Sequence, residues 1–125
     1  MRRLKILEID ITSHSFDFGD AVTRIDQYCY KNHLSPKVSV KLQSVFEELC
    51  MQILMSALED PAIHVTIEYD QPHEAVEMIV EYPGDFRIEN AGRTLAYKVL
   101  MAKSESVVKE NLPDGSKSIV RVRVK

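Results

Sequence analysis

Residues 46 to 54, FEELCMQIL, hold the side chains whose types and spacing come closest to chemistry. Two acids, Glu47 and Glu48, are followed by Gln52, four residues after the second. On a helix that spacing brings Glu48 and Gln52 onto one face. Inside an apolar run, an acid and an amide so placed suit a site that handles a phosphate and its metal. They equally suit the wet stripe of an amphipathic helix, since carboxylates are seldom fully buried.

The other reactive side chains offer less. His14, His33, His64 and His73 are scattered, and no two share a predicted element at ligand spacing, so no metal site is expected from them. Cys29 and Cys50 fall in helical patterns, and Cys50, Met51 and Met55 read as helix packing. No nucleophile–base arrangement is visible. With 125 residues, 45% hydrophobic and 28% charged, the chain suits one globular domain spanning 1–125. The net charge of −3 gives no basic balance for nucleic acid. No apolar run approaches the roughly 20 residues that cross a bilayer. MRRLKILEIDI alternates with charges from the start, which argues against a secretory signal. Two cysteines then read as reduced thiols of a cytoplasmic protein.

The elements that must position these residues follow from period and punctuation. RLKILEIDI, 3 to 11, alternates as a strand. Asp17 or Asp20 caps a helix over 19–33, with Val22, Ile25, Tyr28 and Cys29 on its apolar face. Ser35 caps a second helix, Pro36 taking its first position, which runs to 58. Its main stripe is Val38, Leu42, Val45, Leu49 and Ile53, with Phe46, Leu54, Ala57 and Leu58 beside it. IHVTIEY and AVEMIVEY form strands over 63–69 and 75–82. PGD interrupts at 83–85, and a short helix follows at 93–103. SVVKE and SIVRVRV make two strands joined by the LPDG turn. The order β-α-α-β-β-α-β-β predicts an α+β two-layer sandwich, a mixed sheet with helices on one face.

This order, with an acid and an amide on its long helix, resembles the GHKL (histidine kinase-like) ATPase domain, which includes histidine kinase catalytic domains and anti-sigma-factor kinases. The family's helix motif has the form E-x-x-x-N, and Glu48-Leu-Cys-Met-Gln52 stands at that place. The resemblance implies that Glu48 orients water or a hydroxyl and that Gln52 holds Mg²⁺ beside the triphosphate. The family's D-x-G-x-G, whose aspartate reads the adenine amine, corresponds to Tyr82-Pro83-Gly84-Asp85-Phe86, where only Gly84 is kept. The glycine-rich helix start corresponds to ENAGRTLAYKVL, with Gly92, Thr94 and Leu95. Gly115-Ser116-Lys117-Ser118 echoes the phrase in the closing strands. The likeness spans about residues 4 to 124. ILEIDI, FDFGDAV and KLQSVFEEL are also similar to a tail domain appended to some bacterial ABC transporter ATP-binding chains. That would attach a cytoplasmic module to a membrane transporter without inserting it.

The departures from the motif bear on activity. Gln52 moves the amide oxygen out by one methylene, which loosens a site that must meet near-ideal octahedral geometry. Tyr82 replaces a charged acceptor with a bulkier neutral one. Missing glycines remove backbone that could approach phosphate. At about 1–3 kcal/mol for each unmet polar partner, two or three such losses turn micromolar binding into millimolar. Tyr82 continues the apolar face of Val76, Met78 and Val80 and so reads as core, and Gly84 after Pro83 is a turn residue in its own right. Arg121, Arg123 and Lys125 read as a solvated strand face.

The expectation is therefore a degenerate GHKL domain with no activity of its own and no cofactor. It would act as a regulatory or interaction module toward a protein partner or a second copy. In the alternative, a divergent but active anti-sigma-kinase type, Mg²⁺-ATP would contact Gln52, Tyr82, Gly84 and Thr94, with Glu48 catalytic. Phe86 and Ile88, apolar within the charged stretch 84 to 94, are the expected interaction anchors; the alternative is a surface loop in which both tuck into their own core.

Overall fold

A computed structural model describes residues 6–12 and 16–125. Strand β1 is Leu7–Thr12; residues 3 to 5 of the expected strand lie outside the described residues. Helix α1, Phe18–Lys31, starts where Asp17 accepts a hydrogen bond from the Asp20 N–H at 3.0 Å. Ser35 caps the next helix by accepting from the Val38 N–H at 3.3 Å, with Pro36 at its start. This long helix, α2, is α-helical over Pro36–Phe46, π-helical over Glu47–Leu54, and closes with the short turn Met55–Ala57. Then come β2 (Ala62–Asp70), β3 (Ala75–Pro83), α3 (Leu95–Lys103), β4 (Ser106–Asn111) and β5 (Lys117–Val124). The expected element order is present.

The sheet is antiparallel throughout, not mixed. Its order is β1-β2-β3-β5-β4, and every neighbouring pair runs antiparallel. The physical reason lies in the last hairpin. Helix α3 returns the chain so that β4 runs parallel to β3, but β5 inserts between them and pairs with both. A mixed sheet would have needed β4 directly beside β3. At the other end two successive helices, not one, separate β1 from β2, so the chain comes back reversed.

Alternation sorts the strand residues. Ile9 and Ile11, Ile63, Val65 and Ile67, Val76, Met78, Val80 and Tyr82, and Val120, Val122 and Val124 are buried on one face. They join Ile25, Tyr28 and Cys29 of α1, the stripe of α2, and Leu100 of α3 in one continuous core. Phe46 is wholly buried, with Phe16 and Phe18 ring centroids at 6.1 and 6.2 Å. The Tyr28 hydroxyl accepts from the Tyr69 N–H at 3.0 Å, fixing α1 to the end of β2.

The π stretch has a cause in the sequence. Leu42, Phe46, Cys50 and Leu54 repeat every four residues, as do Val45, Leu49 and Ile53, and all are buried. On an α-helix of 3.6 residues per turn such a stripe drifts by about 40° per repeat. The wider π turn, in which the Met55 N–H reaches back to the Cys50 carbonyl, holds both stripes against the sheet.

The sheet's other face carries charge. Glu8, Asp10, Glu68, Asp70, Glu77 and Glu81 stand on β1 to β3, and Lys117, Arg121 and Arg123 on β5. Arg123 contacts Asp70 at 3.3 Å and Arg121 contacts Glu77 at 3.4 Å. On β2, His64 Nδ1 lies 2.6 Å from Asp10 and its Nε2 3.5 Å from Glu8. Across β3, Glu81 stands opposite.

The hydrogen bond to Asp10 holds the His64 pKa above its ordinary value, partial burial opposes it, and the charges of Asp10, Glu8 and Glu81 add to it. A raised folded pKa favours the protonated native state. This contribution is therefore complete below about pH 6.5, the unfolded value, and is lost as pH rises through the folded pKa. The pair is exposed, so the effect is at most about 1 kcal/mol. Denaturation of wild type and His64→Gln across that range should show their stability difference shrinking as pH rises. A difference that does not change with pH would remove His64 as its source.

Candidate functional site

The concave region nearest the residues singled out above lies between the C-terminal end of α2 and the segment from Pro83 to Ala96. It consists of two open hollows, of about 470 and 550 Å³, that share Ala57, Phe86 and Asn90 as walls. Gln52, Ser56 and Thr94 line the first. Glu59, Gly84, Asp85 and Arg87 line the second. Gln52, Gly84, Phe86 and Thr94, distant in sequence, are thus brought to one cleft. Glu48 lines neither hollow. It sits partly buried within the π stretch, whereas Gln52, four residues on, is exposed. Burial, and then the charge of Glu47, holds its carboxyl above the usual range.

Tyr82 does not line the cleft either. It is 3% exposed and belongs to the core. Its hydroxyl donates to the Phe86 carbonyl at 2.6 Å. Burial pushes its pKa up, the neighbouring Ser118 hydroxyl opposes this, and the Glu89 charge adds to it. Ile88 is 1% exposed and packs in the same core, so it is no exposed anchor: the 3-10 turn Ile88–Ala91 swings it under the segment. Phe86 is half-buried at the wall common to both hollows.

Ser118, read in the sequence only within a motif echo, and Asn111, which was not singled out there, complete the arrangement. Ser118, 1% exposed, donates from Oγ to the Gly84 carbonyl at 2.9 Å and accepts from Asn111 Nδ2 at 2.6 Å. The Gly84 N–H donates to the Ser116 carbonyl at 2.9 Å, and Gly84 has φ of +83°, which favours glycine. The loop after β3 is therefore bolted to β5 and the turn before it through both polar atoms of the Gly84 backbone. The signal was available: Ser118 has the core-facing parity of Val120, Val122 and Val124, and a buried hydroxyl needs a partner. Thr94 is spent as a helix cap, accepting from the Tyr97 N–H at 3.2 Å and donating to the Ala91 carbonyl at 2.7 Å.

The donor set does not fit Mg²⁺-triphosphate. The charged residues lining the cleft are Glu59, Asp85 and Arg87, an acidic balance facing what would be a polyanion. Gln52 offers one neutral oxygen in the first hollow, and the carboxylates of Glu59 and Asp85 line the other, so they do not converge with it on one cation. Among the described residues no group of three or more His, Cys, Asp or Glu is placed to hold a metal ion.

No protein-family model matches the chain, and a search of the curated proteins likewise finds no match.

The hydroxyl of Tyr82 and that of Ser118 each satisfy a backbone carbonyl in the loop. Tyr82→Phe keeps the ring and deletes one donor, leaving the Phe86 carbonyl unmet. It should lower stability by about 1–3 kcal/mol, and Ser118→Ala by a similar amount. Urea denaturation with an unchanged m-value measures this; a change within error for both would mean that water replaces the bonds.

Proposed function

We infer that the chain is a degenerate histidine kinase-like (GHKL-type) ATPase domain serving as a regulatory or interaction module, without activity of its own. One observation carries the reading. The position that would read the adenine amine is Tyr82, and its side chain points into the core, with its hydroxyl committed to the Phe86 carbonyl. A buried phenol already donating to its own loop is not a base-reading carboxylate. The acidic lining of the cleft and the separation of Glu48 from it support the same conclusion.

What remains is a surface suited to protein. Phe86 is an apolar wall between two hollows, edged by Asp85, Arg87 and Asn90. An apolar anchor within a polar rim is how modest interfaces are built. The partner would be a protein segment presenting an apolar side chain to Phe86. The likeness of ILEIDI, FDFGDAV and KLQSVFEEL to the tail of ABC transporter ATP-binding chains would place such a module in the cytoplasm, beside a membrane transporter. Among the described residues no helix is long and apolar enough to cross a membrane.

Titration calorimetry with Mg²⁺-ATP tests the reading. The expected result is a dissociation constant above about 1 mM, or no heat of binding. Low-micromolar binding would overturn it in favour of an active anti-sigma-kinase-type domain. In that case Glu48→Ala should lower turnover while binding is retained.

A further inference from the structure

The two edges of the sheet are unlike. On β1, Arg24 of α1 donates from Nη2 to the Glu8 carbonyl at 2.8 Å, so a side chain already occupies a backbone acceptor on that strand. On β4, no described element pairs with the far side. The strand SVVKEN contains no proline, and its residues are exposed apart from half-buried Val107. The Leu112 N–H donates to the Lys117 carbonyl, which sets the alternation of the β4–β5 ladder. Even-numbered residues of β4 bond to β5, and Val107, Lys109 and Asn111 turn their N–H and C=O groups to the open edge. An unpaired edge of this kind is a template for another strand.

We propose that this edge takes β4 of a second copy of the chain, antiparallel about a two-fold axis, joining two sheets into one. The pairing rules select the register. Outward-bonding residues must oppose one another, which leaves two registers of greatest overlap within Ser106–Asn111. One sets Val108 against Glu110 and Lys109 against Lys109 of the second copy, two like charges that pairing with Glu89 only partly offsets, which disfavours it. The other sets Val108 against Val108, Val107 against Lys109, and Ser106 against Glu110, with no like charges opposed. Val108, 54% exposed, then occupies a non-hydrogen-bonded position, where facing side chains come closest. A two-fold contact of this type closes at two chains and does not propagate. The proposal is independent of the nucleotide question, since it uses neither the cleft nor Phe86.

Sedimentation equilibrium over a range of concentrations is the test. The mass should rise from 14.3 kDa toward twice that value. Lys109→Pro removes an edge-facing N–H, leaves the bonds to β5 intact and gives up the ion pair of Lys109 with Glu89. It should remain at single-chain mass with a thermal midpoint lowered by at most about 8 °C. If that variant fails to fold, Val108→Lys, a change at an exposed side chain, should disrupt the same contact. Val108→Cys should form a covalent dimer under mild oxidation, whereas wild type, whose Cys29 and Cys50 are buried, should not. A wild type that stays at single-chain mass, or a folded Lys109→Pro that still dimerises, would overturn the proposal.

Discussion

The register of α2 on the sheet is the constraint from which the rest of the structure follows. Its two buried stripes repeat every four residues, and both must stay on one face over Leu42 to Leu54. A regular α-helix would rotate them away, so the helix widens into π geometry from Glu47 to Leu54. That keeps Leu49, Cys50, Ile53 and Leu54 in the core. It also sets the exposure of the residues between them. Gln52 emerges at the cleft while Glu48 stays behind, partly buried. The same packing that stabilises the fold brings the amide to the cleft and leaves the acid out of its lining.

The loop after β3 answers a second demand, that buried polar groups be bonded. Ser118 lies on the core-facing side of β5 and can meet this only by reaching Gly84 and Asn111. Tyr82 meets it through Phe86. These bonds fix the entry to the 83–92 segment. A nucleotide-binding lid draws its mobility from few buried contacts and a solvated backbone. Here the core claims Tyr82 and Ile88, and β5 with the turn before it claims both backbone polar atoms of Gly84. The segment is thus built as a wall of the cleft.

Much of the fold was legible in the sequence. Alternation marked the described strands, Asp17 and Ser35 marked helix starts, and Pro113 and Gly115 marked the last turn. Strand pairing was not legible, because whether β5 inserts between β3 and β4 depends on long-range hydrogen bonding that no local pattern records. The π stretch was present as a spacing of four, but that spacing was read on α-helical periodicity. Flanking charges left Ile88 open as a surface anchor or a loop residue tucked into its own core, and the 3-10 turn that decides for the core leaves little trace in composition. Gln52, Gly84, Phe86 and Thr94 do meet at one cleft, whereas Tyr82 reads as core from its parity with Val76, Met78 and Val80 and is found there.

Amide hydrogen exchange at residues 83–94, with and without millimolar Mg²⁺-ATP, tests the central claim most directly. The Gly84 N–H, bonded to Ser116, should be protected in the free protein, and the segment's exchange should not change when nucleotide is added. Fast exchange at Gly84 that slows markedly with Mg²⁺-ATP would mean that the segment is a working lid, and would contradict the account.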